Sequence, residues 1–88
     1  MTMAEQIRAK LEAAFAPDAI EVVDESHKHR GHAGWRPEGE THFHLRMTAP
    51  GFAGQGRVAR QRSVNAALRE ELATTVHALS MELRAPGE

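Results

Sequence analysis

Five of the six histidines in this chain fall between residues 27 and 44. Imidazole is the side chain best suited to hold a metal near neutral pH, provided its second nitrogen is satisfied by another group. The run His27-Lys28-His29-Arg30-Gly31-His32 is therefore a metal-binding candidate, although the plainer reading is a solvated polar loop. His42 and His44 stand two residues apart, which places both on one face of a strand. That face is either a chelating pair or the wet side of an alternating strand. His77 shares a parity with Leu79, Met81 and Leu83, so it reads as a partly buried structural histidine or as a ligand.

Catalytic chemistry finds little support. Asp24 and Glu25 are neighbours and point to opposite faces of a strand, a poor acid–base pair. Ser26 beside His27 lacks a third member and oxyanion donors, and no GxxxxGK[ST] phosphate cradle is present. Gly31-His32-Ala33-Gly34 and Gly51-Phe52-Ala53-Gly54 each match GxxG, a spacing that brings backbone close to a nucleic acid. The second is followed by Arg57, Arg60 and Arg62, a local basic edge that reads otherwise as an ordinary solvated helix face. Trp35 is a candidate docking anchor, or else folds back on the domain.

These residues must be positioned by few elements. Thr2-Met3-Ala4-Glu5 fits a capping box, and Ala4, Ile7, Leu11, Ala14 and Phe15 follow at helical spacing, so a helix is expected over residues 3–15. Pro17 stops it. The β-branched run Ile20–Glu25 reads as a strand. The stretch from Ser26 to Glu40 has no apolar period, and a loop this long in a small domain is usually functional or disordered. From Thr41 to Thr48 the pattern alternates, Phe43, Leu45 and Met47 against His42, His44, Arg46 and Thr48. A glycine turn at residues 51–56 precedes a helix over about residues 58–72, with Val64, Leu68 and Leu72 inward and Arg60, Arg62 and Arg69 toward solvent. A last strand is expected over residues 76–83, then a tail.

The order helix, strand, strand, helix, strand predicts an α+β fold in which the helices cover one face of a three-stranded mixed sheet. The first two strands would pair antiparallel, and the crossover to the third is long enough for right-handed parallel pairing. With 88 residues there is room for one domain, expected to have its core at about residues 4–83 and a tail at 84–88. A domain of this size buries only about 60% of the surface of its unfolded chain, so its core is marginal.

The absence of cysteine excludes an all-protein iron–sulfur centre, a zinc-thiolate site and thiol catalysis. Eleven Lys and Arg against twelve Asp and Glu give a net charge of −1, which is not the basic balance of a dedicated nucleic-acid binder. No apolar run is long enough to cross a bilayer, and Met1–Gln6 lacks the features of a signal peptide. A cytoplasmic protein with no membrane partner is expected.

Taken together, Asp24-Glu25-Ser26-His27-Lys28-His29, Thr41-His42-Phe43, Phe52-x-Gly54, Arg60-x-Arg62-x-Val64-Asn65, Glu70-Glu71-Leu72 and Val76-His77-Ala78-Leu79 resemble the BolA family, in order and spacing from about Ile7 to Leu83. The resemblance implies a single αββααβ domain of the class II KH type, which would split the second helix near the glycine turn. It implies a non-enzymatic adaptor or regulator in iron–sulfur cluster and iron homeostasis. The partner would be a monothiol glutaredoxin with a CGFS motif, sharing a bridging [2Fe–2S] cluster whose other ligands are the partner's cysteine and a bound glutathione. Carried over by position, His77 and His29 would be the cluster ligands, with His32 the alternative in the loop. No cofactor is expected in the isolated chain, for which a weak homodimer is allowed. Imidazole in place of thiolate raises a cluster's potential and suits sensing or transfer. Other BolA members regulate transcription, so DNA binding through Gly54, Gly56, Arg57, Arg60 and Arg62 is the alternative. Here the chain departs from the family pattern, with Gln55 where lysine is common and Gln61 where histidine is common, which removes positive charge from that surface.

Overall fold

The computed structural model describes residues 1–26 and 41–88. The chain enters its first helix, α1 (Met3–Phe15), through the capping box expected from the sequence. The Thr2 hydroxyl accepts the Glu5 amide at 3.1 Å, and the Glu5 carboxylate accepts the Thr2 amide at 3.2 Å. Ile7 and Leu11 form its buried stripe. The helix ends as Ala16 turns left-handed at φ 45°, with its amide on Glu12 O, and Pro17 cannot continue it.

Among the described residues three strands follow in the expected pairing: β1 (Ala19–Asp24), β2 (His42–Thr48) and β3 (Ala78–Arg84). β2 is central, antiparallel to β1 with Val22 opposite Leu45, and parallel to β3 with Leu45 opposite Met81. The alternation of β2 turns Phe43, Leu45 and Met47 into the core with Ile7, Leu11, Phe52, Val64 and Leu68. The rings of Phe15 and Phe52 meet with centroids 5.3 Å apart. The opposite face of the sheet carries Glu21, His44, Arg46, Ser80 and Glu82, as a polar wet side should.

Between β2 and β3 the structure departs from the expected single helix. A 3-10 turn (Pro50–Phe52) buries Phe52, and the chain then runs through α2 (Arg57–Ala67) and α3 (Arg69–Thr74). The break falls at Leu68 (φ −107°, ψ 21°), not near the glycine turn where the resemblance would have split the helix. Leu68 itself stays buried, so the apolar stripe continues across the break. Glu71, on α3, is also buried, and its carboxylate takes Lys10 Nζ at 2.7 Å and Gln6 Nε2 at 2.7 Å from α1. Burial pushes the Glu71 carboxyl up, but Lys10 and Gln6 outweigh it and hold the group below its ordinary value.

Two further expectations change. The last strand begins at Ala78, so His77 precedes it, and its side chain is exposed instead of sharing the burial of Leu79 and Met81. The segment 84–88 is not a loose tail. Arg84 completes β3, Ala85 is buried, and Glu88 returns to α2.

Candidate functional site

Asp24, Ser26, Thr41 and His42 form a polar clamp at the end of the sheet where β2 begins. The Asp24 carboxylate accepts the Ser26 amide at 2.9 Å. The buried Ser26 hydroxyl oxygen then accepts two amides from the far side of the 27–40 segment, Thr41 at 3.0 Å and His42 at 3.1 Å. The Glu25 amide adds a bond to His42 O at 2.8 Å. One small hydroxyl thus joins the two residues that flank a fourteen-position span (27–40), closing it at its base.

His77 is tied to the same clamp. Its backbone N–H donates to Thr41 O at 2.7 Å, which brings the start of β3 to the closing residues. Its ring lies beside His42, with centroids 5.4 Å apart and planes 53° apart. His42 differs from the sequence expectation. Its parity puts it on the polar face, yet it is only 5% exposed, and its Nδ1 sits 2.8 Å from the Thr41 hydroxyl. The bond to Thr41 fixes the ring's orientation. The exposed His77 imidazole next to it can serve as a metal ligand whose main chain is already held.

His44 is engaged separately. Nδ1 meets the Ser80 hydroxyl at 2.6 Å and Nε2 meets Glu82 Oε2 at 2.7 Å. Arg46 Nε approaches the same oxygen at 3.3 Å. The hydrogen bond from His44, with the Arg46 charge second, holds the Glu82 carboxyl below its ordinary value. His42 and His44 therefore belong to different networks, not to one chelate. The loop candidates His27, His29 and His32, and Trp35 with them, lie outside the described residues. Among the described residues no group of three or more metal-ligating side chains occurs. With no thiolate in the chain, an iron–sulfur cluster here would draw its remaining ligands from other molecules. The exposed His77 and the closed base of the histidine-bearing segment fit that arrangement.

The opposite end of the sheet carries the glycine turn. Gly54 adopts φ 78°, a left-handed conformation that disfavours other residues, and Gly56 opens α2. Arg57 and Arg62 are exposed beyond it. Arg60 was expected to face solvent and does not. It is 9% exposed and lies over the Phe52 ring with 5.8 Å to the centroid. Its Nε donates to Gln55 O at 2.9 Å and its Nη1 to Leu83 O at 3.1 Å. Both terminal nitrogens donate to the Glu88 carboxylate at 2.6 Å. The Arg60 hydrogen bonds, followed by one from the Ala85 amide, lower the Glu88 carboxyl to about 2. Of the three arginines expected to contact nucleic acid, the structure leaves Arg57 and Arg62 for that purpose and commits Arg60 to Glu88.

Sequence reasoning missed Ser26 and Thr41 as site residues, and it missed the engagement of Arg60. Arg60 did carry a signal, since it stands four residues before Val64 and eight before Leu68, in line with the buried stripe. The burial of His42 had none.

An α+β domain with a central β2, antiparallel to one neighbour and parallel to the other, and with its helices on one face, is the class II KH-like arrangement. The family model for BolA-like proteins matches residues 11–88. The chain is 46% identical over 89 residues to an uncharacterised Sinorhizobium protein encoded in a cobS 5′ region, covering 100% of this chain and 96% of that one. It is 43% identical over 81 residues to the DNA-binding transcriptional regulator BolA of Escherichia coli K12, covering 92% of this chain and 73% of that protein. The solved structure of BolA1 from Arabidopsis thaliana matches with a TM-score of 0.88 at 35% identity, covering 100% of this chain and 96% of that one. The chain spans about half (54%) of the full chloroplast BOLA1 of that plant. The chain belongs to the BolA-like family.

Proposed function

We propose that this chain is a non-enzymatic adaptor in iron–sulfur cluster and iron homeostasis, contributing imidazole ligands to a [2Fe–2S] cluster shared with a monothiol CGFS glutaredoxin in the cytoplasm. The observation that supports it is the position of His77. The imidazole is exposed, and its main chain is bonded to Thr41, which closes the segment bearing His29 and His32. One ligand from each side of that junction supplies the two imidazoles, His77 and His29, with His32 the alternative. The partner supplies the cysteine and the bound glutathione. Because an imidazole ligates through an unprotonated nitrogen, protons compete with the iron for it and assembly would weaken in acid.

Co-expression with a CGFS glutaredoxin tests the reading. The expected result is a coloured heterocomplex with [2Fe–2S] absorption, iron and sulfide in equal amounts, and loss of colour in His77→Ala with the fold intact. If His77→Ala and the His29→Ala/His32→Ala pair leave the spectrum and the assembly unchanged, the ligand assignment fails. A second reading, DNA binding, rests on Arg57 and Arg62 standing exposed beside the glycine turn. It is the weaker one, because the arginine between them is held by Glu88.

A further inference from the structure

A cavity of about 460 Å³ lies between the start of α2 and the outer edge of β3, with Gln55, Arg57 and Arg60 on one wall and Met81, Leu83 and Arg84 on the other. Among the described residues β3 is an edge strand of the sheet, so the N–H and C=O groups on its outer side have no strand partner there, the usual template for an added strand. Arg60 already bonds the Leu83 carbonyl on that side. The rim carries Arg57 and Arg84, together with Arg60, whose charge is met by Glu88. The acid that also lines it, Glu82, is turned to His44 and Arg46. Arg57 makes no ion pair among the described residues.

The chain itself shows what this rim accepts. After β3 it turns back through Ala85–Glu88, with the Glu88 amide on Ala85 O at 3.2 Å and the Ala85 amide on Glu88 Oε1 at 3.1 Å. This turn delivers a carboxylate to Arg60 in the two-pronged geometry that the guanidinium favours. The arginine is nearly buried, but the carboxylate is 46% exposed, so it can be exchanged from the solvent side.

We propose that the groove between α2 and the outer edge of β3 binds an extended acidic segment of a partner protein, which pairs with β3 and places a carboxylate on Arg60 in place of Glu88. A strand that alternates donors and acceptors matches the β3 edge, whereas a phosphodiester backbone offers acceptors only. Glu88 is then an internal competitor. Tethered a few residues from its seat, it acts at an effective concentration on the order of millimolar and lowers the apparent affinity of any outside carboxylate.

The probe is a fluorescein-labelled hexapeptide, Val-Glu-Val-Glu-Gly-Glu, followed by fluorescence anisotropy and by amide NMR shifts. Glu88→Gln should bind it about tenfold more tightly than the unaltered chain, with shifts at Met81, Leu83 and Arg57. The same peptide with Lys for Glu should not bind. Arg57→Glu, which leaves the Arg60–Glu88 pair intact, should weaken binding by about fivefold or more in the unaltered background, so the test stands even if Glu88→Gln folds poorly. The proposal is overturned if folded Glu88→Gln gains nothing, if the shifts fall elsewhere, if Arg57→Glu has no effect, or if hexathymidylate binds the same variant more tightly than the peptide does.

Discussion

Where β2 and β3 begin, the polar groups are mostly hydroxyls, amides and imidazoles. Ser26 and Thr41 sit at the centre, and His77 is held through its backbone. Where the same strands end, the polar groups are charges, with Arg60 gripped by the Glu88 carboxylate. The hydroxyl end is buried around its bonds, and its strength depends on leaving no amide unpaired. The charged end is half open to water, so it is exchangeable, screened by salt and sensitive to acid. The first arrangement suits a ligand that must stay in one place, and the second suits a contact that can be displaced.

The sharpest way to break this contrast is Ser26→Ala. It removes one hydroxyl and leaves the Thr41 and His42 amides buried without their acceptor, a cost on the order of 2–4 kcal/mol. Urea unfolding should show that loss, and hydrogen exchange of the His77 amide should rise, because its acceptor belongs to Thr41. A cost under about 0.5 kcal/mol, the range of an ordinary surface change, would mean that the clamp is incidental.

The sheet was legible because β2 alternates cleanly, and α1 because its capping box and apolar period agree. The break at Leu68 was not, because Val64, Leu68 and Leu72 keep an unbroken spacing of four across it and neither Gly nor Pro marks it. His77 was grouped with Leu79 and Met81, as a partly buried histidine or a ligand, because parity continues past a strand's end, whereas the strand itself begins one residue later. The closure of the 27–40 span by Ser26 was invisible for another reason. It depends on residues fifteen and sixteen positions apart, and a serine beside a histidine has many more ordinary explanations. His42 was read as wet because alternation assigns a face, and burial depends on what covers that face.

The charged end should respond to acid. The Glu88 carboxyl sits at about 2, below its ordinary 4.5, so between these values the unfolded chain binds more protons than the folded one. Its stabilising contribution is complete above the ordinary value and is lost as the pH falls through about 2. Glu71 is lowered too and acts in the same direction. Unfolding midpoints measured from about pH 5 down to about pH 2 should therefore fall in the unaltered chain and fall less in Glu88→Gln. An identical acid slope in the two proteins would show that the Arg60–Glu88 pair does not persist in solution.

The smallest effect is expected from His44→Ala, and it tests whether the two histidines of β2 are independent. They stand two residues apart on one face, which at sequence level allowed a shared site. In the structure His42 turns to Thr41 and His77, whereas His44 turns to Ser80 and Glu82. Removing the His44 ring takes away the main cause of the lowered Glu82 carboxyl, so its titration should move up, though Arg46 still holds it below the ordinary value. Because the pair is partly open to water, the thermal midpoint should change little. The His42 ring and His77 amide signals should stay where they are. If they move together with Glu82, the two networks are one, and the hydroxyl end is coupled across the open face to the acidic residue that rims the α2–β3 groove.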